Sequence, residues 1–224
     1  MRSMFKRVAS VVACAAAFSL FLTAPAKASS ADDIPAITVT EYSEYLADEA
    51  PELLDDFEAL TAVEQQKFVE LLSNPELYAE GAGSLEGVDE GKVATAQDAS
   101  LRSVAVSPFA ASTDRSVSSN RWVKVLGLKV LEYRVEVGYR VTGGRVTKIN
   151  HSKAVVVRNL NPLVKTGQTS KSAWVGAGGR TARLTATFNY DIGPLKGLAF
   201  QLGTINADLT GYPNGGVSSY WWGD

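Results

Sequence analysis

The chain has 224 residues, 46% hydrophobic and 21% charged, with a formal net charge of −2. That near-neutral total hides a division, because residues 29–100 carry 18 Asp/Glu against 2 Lys/Arg while residues 101–224 carry 16 Lys/Arg against 6 Asp/Glu. A single cysteine, Cys14, and a single histidine, His151, exclude a disulfide framework, Cys- or His-built zinc sites and thiolate catalysis beyond residue 14.

Residues 1–28 read as a secretory signal peptide: a cationic start through Lys6 and Arg7, an apolar run Val8 to Leu22, and the small-residue cleavage site Ala26-Lys27-Ala28. Export with cleavage after Ala28 is expected. The run is shorter than the roughly 20 residues of a spanning helix and Pro25 ends it, which argues against an uncleaved anchor. Lipidation at Cys14 would leave only Val8 to Ala13 before the cut, so a lipoprotein is not expected.

The overall expectation is an α+β protein: a short acidic helical segment over 29–80, a flexible linker over 81–120, and a basic antiparallel β domain over 121–224, either a sandwich or a small barrel. Thr38 and Glu41 form a capping box ahead of Tyr42, Tyr45 and Leu46, which share one helical face. Pro51 ends that helix near Ala50 and starts a second through Leu60, with Leu53, Leu54, Phe57 and Leu60 inward and Glu52, Asp55, Asp56 and Glu58 outward. Thr61 and Glu64 repeat the capping box for a third helix carrying Phe68, Leu71 and Leu72, closed by Asn74-Pro75, with one further turn from Pro75 to Glu80. So few residues make a weak independent core. The basic domain is the expected partner, drawn by opposite charge.

Gly81, Gly83, Gly87 and Gly91 and the Ser/Ala/Thr-rich stretch to Asn120 read as the linker, with a weak edge-strand alternation at Leu101 to Val106. From Arg121 the period becomes two. Leu131, Tyr133, Val135, Val137, Tyr139 and Val141 alternate with Glu132, Arg134, Glu136 and Arg140, a half-buried strand. Gly143-Gly144 marks a hairpin to a return strand through Val157, and Gly127 a bulge or bend. Ala182 to Ile192 is the clearest strand. A hairpin around Gly203-Thr204 and a last strand Val217 to Trp222 complete six to eight antiparallel strands.

The chemistry-bearing residues are few. His151 sits near a strand end as a surface or hydrogen-bonding residue. Glu132 and Glu136 share a face and are the only pair that resembles a glycosidase acid and base, but Arg134 and Arg140 on that face make ion pairing their expected role, leaving glycan hydrolysis a minor alternative. Gly176-Ala177-Gly178-Gly179-Arg180 lacks the lysine and hydroxyl of a P-loop and reads as a strand-to-strand turn. No catalytic residue, metal ligand or cofactor is assigned. The aromatics Trp122, Trp174, Tyr220, Trp221 and Trp222, set among cations, are the candidate ligand contacts, since neighbouring strand residues face opposite ways and one large ring of the Tyr220-Trp221-Trp222 run is expected outside. These residues suit a sugar polymer, an anionic envelope polymer or a membrane surface; nucleic acid is not an expected partner. The functional expectation is a secreted, noncatalytic binding or structural protein. Its alternative is a bacteriocin-like effector masked by residues 29–100 as an acidic pro-segment.

Overall fold

The computed structural model describes residues 37–78, 82–97, 112–192 and 200–223. The expected leader, Cys14 and the Leu101–Val106 alternation lie outside them.

Three helices form where the sequence punctuates them. α1 (Val39–Glu49) opens on a complete capping box: Thr38 Oγ1 accepts from the Glu41 N–H at 3.2 Å, and Glu41 Oε2 accepts from the Thr38 N–H at 2.9 Å. Pro51 ends α1 after Ala50 and opens α2 (Pro51–Glu58), because its fixed φ suits a first turn and its missing N–H is not needed there. α3 (Ala62–Leu72) begins at the second box, in which the Thr61 N–H donates to Glu64 Oε2 at 2.8 Å. A short 3-10 turn, Pro75–Tyr78, follows. Tyr42, Phe57 and Phe68 meet with centroids 5.0 to 5.3 Å apart, so one inner face of each helix contributes a ring. Glu52, Asp55, Asp56 and Glu58 remain exposed.

The expectation of an antiparallel β-rich domain is met by two four-stranded sheets. β1 (Val88–Gln97), β2 (Ser112–Val125), β3 (Leu128–Thr142) and β4 (Arg145–Asn159) form one in sequential order, and β5 (Val164–Gly176), β6 (Thr181–Ile192), β7 (Phe200–Gly211) and β8 (Val217–Gly223) form the other. The predicted alternation in β3 holds, with Leu131, Tyr133, Val135, Val137, Tyr139 and Val141 buried. In β6, Ala182, Leu184, Ala186, Phe188 and Tyr190 do the same. Both inner faces share one apolar cluster, in which Tyr133 and Phe188 lie 5.0 Å apart across the sheets. Two lysines tie the edges: Lys92 Nζ donates to the Trp221 carbonyl at 3.0 Å, joining β1 to β8, and Lys171 Nζ donates to the Ser152 carbonyl at 2.9 Å, joining β5 to β4. Each occupies a carbonyl near a sheet edge that would otherwise invite another chain.

Two expectations, the linker and the Gly203-Thr204 hairpin, give way to the structure. The stretch read as a linker contains β1 and the first nine residues of β2. Those strands lack an apolar period because Ser119 and the buried Arg121 take inward positions: Ser119 bonds Ser219 at 2.9 Å between the sheets, while Ser118 bonds the exposed Thr95 at 2.9 Å on the outer face. Of the bulge or bend expected at Gly127, the bend is what forms: Leu126-Gly127, at φ 46° and 88°, is the tight turn joining β2 to β3. Gly203-Thr204 is no hairpin. β7 runs straight through it, and the register shift opposite Tyr190/Asp191 accounts for the glycine. β5 went unread because Lys165 to Lys171 is almost wholly polar.

The helical segment joins the strands through apolar burial rather than charge. Its buried side chains belong to the same cluster as those of the sheets. The Tyr78 ring lies 5.8 Å from Tyr190. Asn161, 1% exposed, reaches from the β4–β5 connection to donate to the Leu72 carbonyl at 2.5 Å and to the Tyr78 hydroxyl, which links helix and sheet through a buried amide. Tyr45 Oη donates to the Asn159 carbonyl at 3.4 Å. Among the described residues the ion pair made by a helix, Lys67 with Glu86 at 2.8 Å, has both partners within the acidic half. Raising salt from about 0.05 to about 1 M, which cuts the screening length to about 3 Å, is therefore expected to leave the protease resistance of residues 37–78 unchanged. Phe68→Ala, costing roughly 3–5 kcal/mol, is expected to expose the segment to cleavage at either salt. Limited proteolysis read by mass spectrometry measures both.

Candidate functional site

The outer face of the β5–β8 sheet gathers three of the five aromatics singled out from the sequence. Register sets it out in rows across the four strands. Trp174, Arg183, Thr210 and Ser218 form the first, Ser172, Thr185, Asp208 and Tyr220 the second, and Ser170, Thr187, Asn206 and Trp222 the third. The two edge strands therefore carry rings while the two central strands carry hydroxyls, an amide and one ion pair. Three strand spacings separate the edges, about 14 Å.

Local chemistry holds this face in place. The Arg183 guanidinium lies over the Trp174 ring at 5.6 Å and is paired with Asp208, which fixes both the ring and the charge. Tyr220 and Trp222 stack with centroids 5.3 Å apart and planes at 19°. Thr187 Oγ1 donates to Asn206 Oδ1 at 2.9 Å, leaving the amide NH2 for other acceptors, one of them Thr204 Oγ1 at 3.4 Å. Tyr220 is 63% exposed and Trp174 39%, and Trp222 is half-buried beneath its neighbour. A hydroxyl-rich strip flanked by rings offers donors, acceptors and stacking surface together, with little net charge.

The other two aromatics belong elsewhere. Trp221 points inward between Tyr220 and Trp222, is fully buried, stacks on Phe188 at 6.3 Å and donates from Nε1 to Ser119 Oγ at 2.8 Å, so it is a core residue and not a ligand contact. Trp122 lies half-buried on the outside of the other sheet, with Lys124 Nζ 5.1 Å from its ring. Its ring covers Gly91, where a methyl group would stand 2.2 Å from Cζ2, so β1 carries glycine opposite the tryptophan. The residues the sequence did not single out are Thr185, Thr187 and Asn206. Only strand register reveals that they share a face with Trp174 and Tyr220.

The outer face of the β1–β4 sheet bears the carboxylates. Glu132 accepts from Asn120 Nδ2 at 2.8 Å and pairs with Lys129 at 3.0 Å. Glu136 pairs with Arg134 at 3.3 Å, accepts from Ser116 Oγ at 3.1 Å, and meets His151 Nε2 at 3.1 Å. Partial burial raises the Glu136 carboxyl, but these bonds and the Arg134 charge outweigh it and leave it below the usual range. A general acid for glycoside cleavage needs the opposite shift. Of the ion pairs expected for these glutamates with Arg134 and Arg140, only Arg134–Glu136 forms, along β3 rather than across strands; Glu132 takes Lys129 and Arg140 takes Asp114. The Gly176–Arg180 stretch is, as read, a strand-to-strand turn.

No family model matches this chain, and comparison with curated proteins and with solved structures finds no match.

Asp114, at the end of the same face, accepts from Arg140 Nε at 2.8 Å and Nη2 at 2.9 Å. That bidentate bond, with a further one from Asn150, lowers the carboxyl to about 2. Because the folded value is depressed, the pair contributes stability that is complete above the unfolded carboxyl range near 4 and is lost as pH falls toward 2. The pair is half-exposed, so solvent screening keeps the contribution small. Thermal midpoints of the parent and Asp114→Asn should differ at about pH 5 and converge near pH 2.

Proposed function

We propose that this protein is an exported, noncatalytic binding module whose ligand is a glycan laid across the outer face of β5–β8. The observation that carries the reading is the pairing of exposed rings on both edge strands, Trp174 and Tyr220, with hydroxyl and amide side chains between them. Sugar rings combine apolar C–H faces with hydroxyl edges, and a surface that offers both stacking planes and neutral hydrogen-bonding groups matches them. The span of about 14 Å suits several sugar units rather than one.

The acidic helical segment is, on this reading, a permanent part of the molecule, docked on its own β domain. Support comes from the shared core and from β1, which pairs with β2 over ten residues; removing residues 29–100 would strip that strand and expose the β2 edge. The leader is proposed to be cut after Ala28. Mass spectrometry of the exported form should show that single cut, whereas a second cut between residues 81 and 120 would support the masked-effector reading instead.

Affinity electrophoresis through gels containing soluble polysaccharides tests the ligand class. Retardation is expected in at least one neutral glycan, reduced roughly three- to tenfold by Trp174→Ala and by Tyr220→Ala, and unchanged by Trp122→Ala. Absence of retardation in every glycan, or an equal loss in Trp122→Ala, would overturn the proposal.

A further inference from the structure

The strand turns at the far side of the sheets from the helices hold a second feature, independent of the aromatic face. The turns after β3, β5 and β7 converge on an open cleft of about 440 Å³ lined by Gly144, Arg145, Gly178, Gly179, Arg180 and Pro213. Its two cations come from different hairpins. Arg145 opens β4, and Arg180 closes the turn between β5 and β6. The turns are packed closely enough that a methyl group at Gly179 would stand 2.9 Å from the Val146 carbonyl oxygen, so the two arginines are anchored to one rigid junction.

Charge balance sets these arginines apart from their neighbours. Arg140 and Arg183, a few residues away on β3 and β6, each hold an aspartate, Asp114 and Asp208. Arg145 and Arg180 are exposed and meet no carboxylate among the described residues. Three glycines of the two turns share the lining with them. Gly144 and Gly178 hold φ of 75° and 64°, which favours glycine, and a methyl group at either would meet nothing within 4 Å. An incoming group can thus come close to the backbone of these two turns.

Two unpaired guanidinium groups beside glycine turns match a compact, multiply charged oxyanion. The guanidinium fork pairs with phosphate oxygens through two parallel bonds, and charge-assisted bonds of this kind are about twice as strong as neutral ones. We infer that the Arg145–Arg180 cleft binds a phosphate group, presented either on a soluble or wall-bound polymer or on a lipid headgroup. The cleft contains no nucleophile or base from the described residues, so its role is attachment. It would hold the hairpin end to an anionic surface while the β5–β8 face remains free.

The test uses the full exported chain and two probes without sugar. Inorganic polyphosphate titrated into the isotope-labelled protein is expected to move the backbone amide resonances of Gly178, Gly179 and Arg180. Vesicles of phosphatidylglycerol and phosphatidylcholine, against phosphatidylcholine alone, report the lipid source by co-sedimentation. Response to polyphosphate assigns the polymer, response to the anionic vesicles alone assigns the headgroup, and either supports the site. Arg145→Gln combined with Arg180→Gln should weaken binding about tenfold or more with an unchanged thermal midpoint, because both side chains are exposed. The charge-matched Lys153→Gln/Lys165→Gln variant should bind like the parent. No response to either probe, or equal weakening in the two double variants, would overturn the inference, and neither result bears on the glycan face.

Discussion

Burial of one continuous apolar core is the interaction on which this molecule depends. With no cysteine after residue 14, no crosslink is available to secure a helical segment of some forty residues that could not hold itself together. The segment is stable because Tyr42, Phe57 and Phe68 pack on one another and the same cluster continues through Tyr78 and Tyr190 into the sheets. Asn161 joins the two parts at a point where apolar contact alone would leave the Leu72 carbonyl and the Tyr78 hydroxyl unpaired. Of the opposite net charges on the two halves, one pair is drawn inside, where Glu90 meets the buried Arg121 at 3.5 Å; none of the ion pairs seen among the described residues joins the helices to the basic half.

The sheets solve a related problem of edges and polar interiors. β1 has mostly small or polar residues and would make a poor core strand, yet it pairs along its whole length with β2 and presents Lys92 across to β8. Inside, Ser119 accepts from the Trp221 indole and bonds Ser219, so a polar row passes between the sheets without an unpaired hydroxyl. That arrangement explains why Trp221 is buried. Its ring fills the core while its N–H reaches a partner, the combination that places tryptophan at the border of apolar and polar surroundings.

The surface then divides into faces of different chemistry. One sheet turns outward a lattice of paired charges, from Glu132 and Lys129 to Asp114 and Arg140, which offers little to a neutral ligand. The other turns outward threonines, serines and asparagine between Trp174 and Tyr220. At the hairpin end Arg145 and Arg180 meet no carboxylate among the described residues. Division of labour of this kind follows from strand alternation: every second residue is withdrawn into the core, and what remains outside on each sheet is read across strands rather than along the chain.

By itself the sequence determined the local elements that carry their own signals. Capping boxes at Thr38 and Thr61, Pro51 at a helix start, and the strict alternation of β3 and β6 act within a few residues, and each appears where it was read. Strands built from Ser, Thr, Gly and Lys, such as β1 and β5, were illegible because their stability comes from partners distant in the chain. The aromatics were legible as residues but not as a site. Tertiary structure alone decided that Trp221 goes inside, that Trp122 lies on the opposite sheet, and that Trp174 and Tyr220 share a face, because pairing register fixes both which side of a strand is buried and which distant side chains become neighbours.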